Sequence, residues 1–209
     1  MADKLKNEDD FVFKLESKHF TLPLKVEQVI LVTAMQNSSR GSLYAFEKNG
    51  EVWEEKFDTI PVSLGRNGIT NQKVEADGKT PIGLYKLGTA FGINAKPKYI
   101  KMPYREIDSK DKFIDDPLHP QYNTWVQGDT DAKSYEKMYR NDECYDLGIV
   151  VEYNMHPVVP NMGSAIFVHI WKAKNKSTDG CIAMSYDDLK ELLTWLDPNK
   201  NPYIYILES

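Results

Sequence analysis

Short segments rich in β-branched and aromatic residues, separated by turn residues, constrain the fold of this chain more than any other feature. Asn49-Gly50 is the strongest turn signal, because both central positions of a tight hairpin turn need a positive φ. It lies between segments 42–48 and 51–57, which therefore predict a β-hairpin. The other strands predicted in the first half of the chain are 29–35, 59–65 and 80–88. Together these segments predict a run of antiparallel strands.

Three more strands and one helix are predicted in the second half. Segments 147–154 and 164–171 are rich in Val and Ile and are bounded by Pro and Gly, as buried strands are. Ser185 and Asp188 have the spacing of a helix capping box, and four leucines follow at helical spacing. Segment 202–207 is the last predicted strand. The sequence therefore predicts a mainly β domain with one helix near its C-terminus.

The remaining regions are interpreted as additions to this domain, which we place at 28–209. Residues 1–27 are charged and then mixed, and are predicted to form an N-terminal arm or edge strand. An insertion at about 95–146 is rich in Pro, Asp and Tyr, with only a hint of helix at 131–140. Long irregular stretches in compact domains are usually functional or disordered, and the aromatic residues argue against disorder. We expect segment 99–145 to form a lid or wall over a groove, or to fill the core under a loop.

Composition excludes several classes of protein. Hydrophobic residues make up 41% of the chain and charged residues 27%, which is typical of a globular protein. The formal net charge of -5 argues against nucleic acid or an anionic membrane as the main partner. No apolar run approaches the roughly 20 residues that span a bilayer. The charged N-terminus lacks a signal peptide's apolar stretch, so the protein is either cytosolic or shown without its leader.

The segment that carries chemistry runs from Phe167 to Met184. His169 lies near the end of a predicted buried strand, and Cys181 follows twelve positions later, just before the predicted helix. A loop of this length can return the thiol to the imidazole. Thr178 and Gly180 are residues that let consecutive backbone N–H groups converge on one point, as in an oxyanion hole.

A cysteine and a histidine together suffice for acyl transfer through a thioester. A free thiol is mostly protonated at neutral pH, and a nearby imidazolium or helix N-terminus lowers its pKa. His169 can supply that charge and later protonate a leaving amine, with no metal or cofactor. Three alternatives stay open from the residues alone. Cys181 can be a small buried hydrophobe, it can form a disulfide with Cys144, or both cysteines can bind a metal with His156 and His169. Structural zinc sites take their ligands in close pairs, which disfavours the last.

Two motifs together resemble the catalytic domain of the L,D-transpeptidases, the YkuD-type domain. The first is Ser177-Thr178-Asp179-Gly180-Cys181-Ile182 after His169, and the second is Lys79-Thr80-Pro81-Ile82-Gly83 upstream. The family has a His on a strand, then S/T-x-G-C followed by an aliphatic residue, and an upstream T-P-x-G. The resemblance covers roughly 28–207. It implies a curved mixed sheet or barrel-like β-sandwich with one C-terminal helix.

The resemblance also implies roles for individual residues. Cys181 is expected to be the nucleophile, and His169 its base and later its acid. Gly180 and the backbone N–H of Cys181 are expected to contribute to the oxyanion hole. Thr178 occupies the S/T position that orients the site.

Three departures from the family pattern affect substrate binding. Ala183 stands where many members have an Arg that binds the substrate carboxylate, and Asp179 stands where some branches have a second His. The loop between the candidate base and nucleophile is also shorter than in most members. Other residues must therefore bind the substrate. The candidates are Arg66, Trp171, Ser177 and Asp179, with Lys172 as a further cation.

The function implied by the resemblance is cysteine-dependent acyl transfer on peptidoglycan stem peptides. The thiol would attack the L,D bond after meso-diaminopimelate, expel the terminal D-residue and pass the acyl group to an amine. One alternative is hydrolysis in the same site, by an L,D-carboxypeptidase or amidase acting on peptidoglycan. Another is a catalytically dead wall-binding module. The substrate implies a bacterial periplasmic or cell-envelope location, and we expect no cofactor, no nucleic acid and no membrane segment.

Overall fold

A computed structural model describes residues 22, 23 and 25–209 of the protein, so most of the predicted arm lies outside the described residues. The described part contains fifteen β-strands and one α-helix. The strands are β1 (Gln28–Ala34), β2 (Arg40–Asn49), β3 (Val52–Glu55), β4 (Ile60–Ser63), β5 (Ile69–Thr70), β6 (Thr80–Pro81), β7 (Gly83–Gly92), β8 (Tyr104–Glu106), β9 (Asp111–Ile114), β10 (Trp125–Gln127), β11 (Tyr135–Lys137), β12 (Leu147–Val151), β13 (Phe167–Ile170), β14 (Ile182–Met184) and β15 (Tyr203–Glu208). The helix is α1 (Tyr186–Trp195), and a 3₁₀ turn follows at Pro198–Lys200.

Eight strands form a closed barrel. Their order around it is β1, β15, β7, β12, β13, β14, β4 and β2, and β2 pairs with β1 to close the ring. The pairs β1–β15 and β13–β14 are parallel, whereas the other pairs in the ring are antiparallel. The predicted mixed, barrel-like sheet is therefore confirmed. Within the described residues, no helix is both long enough and apolar enough to cross a membrane.

The predicted hairpin is confirmed, but its turn lies one residue later than expected. Strands β2 and β3 pair in a register that places Asn49 opposite Val52. The two turn residues are therefore Gly50 and Glu51. Gly50 has a φ of +63°, a conformation that glycine adopts without steric cost.

The inside of the barrel is an aliphatic core. Side chains alternate along each strand, so the face that all eight strands share points inward. Its members include Ile30, Leu43, Ile149, Val168, Ile182 and Ile204. Helix α1 adds Leu189, Leu192 and Leu193 to the same cluster. The predicted helix start is confirmed, because Ser185 accepts a hydrogen bond from the N–H of Asp188.

The 95–146 segment builds a small sheet of its own. Strands β10, β9 and β11 pair in that order, apart from the barrel. The hint of helix at 131–140 is wrong, because Tyr135–Lys137 is strand β11 and pairs with β9. A weak local helical pattern was outweighed here by pairing with a distant strand.

A second core lies between this segment and the outer face of the barrel. It is rich in aromatic and sulfur-containing side chains, namely Phe91, Phe113, Phe167, Met138, Tyr145, Cys144 and Cys181. The rings of Phe91 and Phe167 meet edge to face, with centroids 5.5 Å apart. Trp125 packs against Phe91, and its indole N–H donates to buried Asp111. Trp125 therefore fills the core under this segment, which is one of the two roles expected for the segment.

Candidate active site

His169 and Cys181 belong to neighbouring parallel strands. His169 is the third residue of β13, and Cys181 immediately precedes β14. The register places Val168 opposite Ile182, so the imidazole and the thiol both point to the outer face of the barrel. From the spacing and rise of β-strands, their Cα atoms are roughly 8 Å apart. The structure thus brings both candidate residues to one place.

Strand β14 separates the thiol from the helix, which differs from the expectation that Cys181 directly precedes α1. Ile182 and Met184 alternate into the barrel core and make this short segment a strand. The helix begins only at Tyr186. The helix N-terminus is therefore not adjacent to the thiol.

A tight turn holds the residues before the thiol. The Thr178 hydroxyl donates to the carbonyl of Cys181 at 2.7 Å and accepts from the N–H of Gly180 at 3.2 Å. Gly180 has a φ of +143°, and a Cβ atom there would lie 2.9 Å from the carbonyl oxygen of Lys79. Only glycine fits this position. In this arrangement, the N–H of Gly180 is already bonded to Thr178.

The two sequence motifs meet at Gly65. The hydroxyl of Thr80, from the upstream motif, accepts a hydrogen bond from the N–H of Gly65 at 2.9 Å. On either side of Gly65, the carbonyl of Leu64 accepts from the N–H of Thr178, and the N–H of Arg66 donates to the carbonyl of Thr178. The threonine of the upstream motif therefore fixes the strand end that supports the turn before Cys181.

The thiol of Cys181 is buried and protonated in this structure. It is 8% exposed, and burial raises its pKa to about 12. Its S–H donates to the carbonyl of Ala165 at 3.3 Å, and the N–H of Phe167 donates to the sulfur at 3.4 Å. The expectation that the neighbourhood lowers the thiol pKa is wrong for this state, because removal from water dominates.

Ala165, whose carbonyl accepts the hydrogen bond from the thiol, has a strained backbone. Its φ is +52°, which is uncommon for a residue with a Cβ atom. The side-chain oxygen of Asn123 accepts a hydrogen bond from the N–H of Ala165 at 3.1 Å. Asn123 is buried and belongs to the 95–146 segment. This segment therefore helps to fix the carbonyl that holds the thiol.

The imidazole of His169 is neutral and has a defined proton position. It is 7% exposed, and burial lowers its pKa to about 4. Its Nδ1 lies 2.8 Å from the carbonyl oxygen of Ile170. A carbonyl oxygen only accepts, so Nδ1 carries the proton and Nε2 is the basic nitrogen. The ring of Tyr145 packs edge-on against the imidazole at 5.1 Å.

One cavity of about 510 Å³ contains the eight predicted site residues. They are Arg66, His169, Trp171, Ser177, Thr178, Asp179, Gly180 and Cys181. The guanidinium of Arg66 forms an ion pair with the exposed carboxylate of Asp179. Ala183 and Lys172 also line the cavity. Two of the departures from the family pattern, at positions 179 and 183, are therefore part of this cavity.

The 95–146 segment forms a wall of this cavity, as the sequence predicted. The wall residues are Asp115, Glu136, Arg140, Asp142, Cys144 and Tyr145. They are mostly charged, although the sequence suggested aromatic faces. Phe113, Trp125 and Tyr145 pack in the second core instead, and Tyr145 is the one aromatic residue of the described segment that also lines the cavity.

Arg140 organises this wall. Its guanidinium donates to both carboxylate oxygens of Asp142, at 2.9 and 2.7 Å, and to Glu136 at 2.6 Å. These bonds hold the pKa of Asp142 well below its usual range. The guanidinium also lies over the ring of Tyr145, 5.0 Å from its centroid. Sequence reasoning missed Arg140, Glu136 and Asp142, and their only signal was closeness in sequence to Cys144.

The other uses of the cysteines have no support in this structure. Cys144 and Cys181 are both free thiols, so the disulfide alternative does not describe it. Across residues 25–209, no three His, Cys, Asp or Glu side chains are grouped as metal ligands. His156 does not line the cavity that contains His169.

The fold and the site together define a β-barrel protein with a buried cysteine and histidine at one cavity. The model of the L,D-transpeptidase catalytic domain (YkuD) family matches residues 31–204, and the chain belongs to this family. Its fold is also similar to the structure of the helical cell shape determining protein Pgp2 from Campylobacter jejuni, with a TM-score of 0.46 and 15% identity. That alignment covers 88% of this chain and 49% of the other, so this chain spans about half its length. None of the curated proteins compared with the chain matches it.

Proposed function

We propose that the protein is a cysteine acyltransferase of L,D-transpeptidase type that acts on peptidoglycan stem peptides. One observation carries this proposal. In a member of this family, the thiol of Cys181 and the imidazole of His169 share one face of two adjacent strands at one cavity. A nucleophile and a base in one cavity are the minimum that thioester chemistry needs.

In the first half-reaction, the sulfur of Cys181 attacks the carbonyl carbon of the L,D bond after meso-diaminopimelate. The thiol proton moves to Nε2 of His169, and the carbonyl electron pair moves to the oxygen. When the intermediate collapses, the C–N bond breaks and the leaving amine of the D-residue takes the proton from His169. The product is a thioester on Cys181.

In the second half-reaction, an acceptor amine attacks the thioester carbonyl. His169 takes the proton of this amine, the C–S bond breaks, and the proton returns to the sulfur. Water in place of the amine gives hydrolysis through the same steps. The transferase and the carboxypeptidase therefore differ only in which acceptor enters the cavity.

The described arrangement is a resting state in this scheme. The thiol donates to Ala165, and both the thiol and the imidazole are neutral. We propose that substrate entry turns the S–H from Ala165 towards Nε2 of His169. Proton transfer then accompanies attack on the carbonyl, so no thiolate accumulates beforehand.

Substrate contacts are proposed for the cavity residues on the barrel side. Ala183 provides no charge, so Arg66 is the proposed carboxylate ligand, with Trp171, Ser177 and Asp179 around it. Arg66 is held by Asp179 in the described state. A substrate carboxylate would compete with Asp179 for the guanidinium, whose planar donor set suits a carboxylate.

The proposed substrate places the protein in the bacterial periplasm or cell envelope. Fractionation of the native host checks this location, and a wholly cytosolic protein would contradict it.

Incubation with purified muropeptides and mass spectrometry tests the proposed chemistry. New 3-3 cross-links indicate transfer, and loss of the terminal D-residue alone indicates hydrolysis. Unchanged muropeptides indicate a wall-binding module. A Cys181→Ala sample run in parallel removes any contaminating activity from the comparison.

A further inference from the structure

Glu75 lies in the loop between β5 and β6 and lines the same cavity as Cys181. Its Oε2 accepts hydrogen bonds from the hydroxyls of Tyr122 and Ser164, the latter at 2.7 Å. Tyr122 is 2% exposed and Ser164 7%, so both donors are fixed by burial. Burial and the neighbouring charge of Glu75 raise the pKa of Tyr122, which keeps its O–H a donor. Glu75 is therefore a carboxylate held in one orientation at the cavity wall.

The charge of Glu75 has no cationic partner among residues 25–209. The nearby cations of the cavity are bound elsewhere. Lys73 pairs with Asp77 at 2.5 Å, and Arg140 pairs with two carboxylates of its own segment. The hydroxyl bonds orient Glu75 but do not neutralise it. This part of the cavity therefore favours a positively charged group.

One oxygen of a second carboxyl group at the cavity, that of Asp115, has no donor, although the side chain of Ser134 hydrogen-bonds this carboxyl group. Oδ1 of Asp115 is buried and has no hydrogen-bond partner among the described residues. Burial raises the pKa of Asp115, and the charges of Glu75 and Glu136 raise it further. A buried acceptor without a donor is uncommon in folded proteins. An ammonium group carries three N–H donors and a positive charge, and would satisfy both carboxyl groups.

The position of Glu75 relative to the thiol limits which ammonium group can bind. Ser164, which donates to Glu75, precedes Ala165, which accepts from the thiol of Cys181. Glu75 is thus separated from the attacking sulfur by one short backbone segment. A cation there belongs to the side chain of the residue that is acylated on Cys181, or to its immediate neighbour.

We propose that Glu75 is a specificity-determining residue that binds the free ammonium group on the side chain of the diamino acid preceding the scissile bond. This inference rests on the proposed function, because it assumes that a stem peptide enters the cavity. The competing explanation is structural, in which Glu75 only ties its loop to Tyr122 and Ser164. A structural role predicts no dependence on the charge of the substrate side chain.

The test measures binding of two probes to the full chain carrying Cys181→Ala, which prevents turnover. This Cys181→Ala protein is the parent of the variants below. One probe is a monomeric disaccharide tetrapeptide with a free side-chain amine on its diamino acid, and the other is the same muropeptide with that amine acetylated. Titration calorimetry is expected to give about tenfold or tighter binding of the free amine, since hydrogen bonds between charged groups have this strength. Adding Glu75→Gln is expected to reduce the difference to about twofold or less.

Glu143→Gln is the matched control. It removes the same charge from an exposed residue outside the cavity wall, and is expected to keep the tenfold preference. Should Glu75→Gln not fold, as judged by near-UV circular dichroism, Glu75→Asp keeps the charge. It is expected to bind the free amine more weakly than the parent, with the acetylated probe unaffected.

Four results would overturn the inference. Glu75→Gln keeping the full preference, or Glu75→Asp binding both probes like the parent, supports a purely structural role. Equal binding of both probes by the parent overturns the inference while leaving the proposed function intact. If the parent binds neither probe and the wild type changes neither, the proposed function fails together with the inference.

Discussion

The inside of the barrel and the core beneath the 95–146 segment are built on the same strands but have different chemistry. Val168 and Ile182 point inward and join a core of aliphatic side chains. Phe167, His169 and Cys181 point outward to aromatic rings and a charged cavity. Adjacent residues in sequence therefore belong to different cores. The difference teaches that strand alternation separates the residues that stabilise this barrel from those that carry its proposed chemistry.

The largest expected effect is on the outer face. Cys181→Ala is expected to abolish turnover of muropeptides, and His169→Ala to lower it by about 10²–10⁴-fold, because acid–base assistance is lost. The double variant should resemble the worse single variant, since both residues serve one step. Rates are measured by mass spectrometry, and thermal unfolding midpoints show whether the fold is intact. Activity retained by Cys181→Ala would contradict the thioester mechanism.

On the inner face, the expected effect is on stability. Ile182→Ala is expected to lower the free energy of unfolding by about 2–5 kcal/mol, because it leaves a cavity in a fully buried core. Urea unfolding measures this change.

Trp125→Ala, in the second core, is expected to lower stability without changing relative rates on different muropeptides, since Trp125 does not line the cavity. A changed preference in Trp125→Ala would mean that the aromatic residues act as a lid.

A smaller effect comes from the titration of His169. Its pKa is about 4 in the folded protein and about 6.5 when unfolded, so between these values only the unfolded chain binds the proton. The free energy of unfolding therefore decreases as the pH falls through this window. Between about pH 7 and pH 4.5, wild type should lose about 2 kcal/mol more than His169→Gln. Urea unfolding of both proteins at the two pH values checks this, and equal losses would mean that His169 titrates normally.

The smallest effect is expected at Cys144. Its carbonyl accepts from the N–H of Ile170 at 3.1 Å. Cys144→Ser keeps this backbone contact, so activity is expected to stay within about twofold of wild type. The muropeptide assay measures this. A loss as large as that of Cys181→Ser would show that the second thiol takes part in the reaction.

Local and periodic signals made much of the fold and the central pair of the site predictable. The hairpin of β2 and β3 depends on residues adjacent in sequence, and the start of α1 depends on Ser185 and Asp188, three positions apart. His169 and Cys181 were found because a strand and a glycine turn mark their surroundings. These features need no knowledge of distant contacts.

The rest depends on contacts between residues far apart in sequence. Glu75 meets Ser164, and Asn123 meets Ala165, only after the barrel and the 95–146 segment have packed together. Strand β11 was missed because its partner β9 decides its conformation. The raised pKa of Cys181 was missed for a similar reason, since burial under that segment has no local signature.

The closure of the barrel by β15 has a consequence for how the chain is made. Strand β15 pairs with β1, where Tyr203 lies opposite Val29, and on its other side with β7. It therefore lies between two strands that are synthesised much earlier. The ring cannot close until residues 203–208 have left the ribosome. Such distant pairings form slowly, because a long loop must be ordered first. The edges of β1 and β7 that β15 covers are therefore expected to stay unpaired on the nascent chain until that strand emerges.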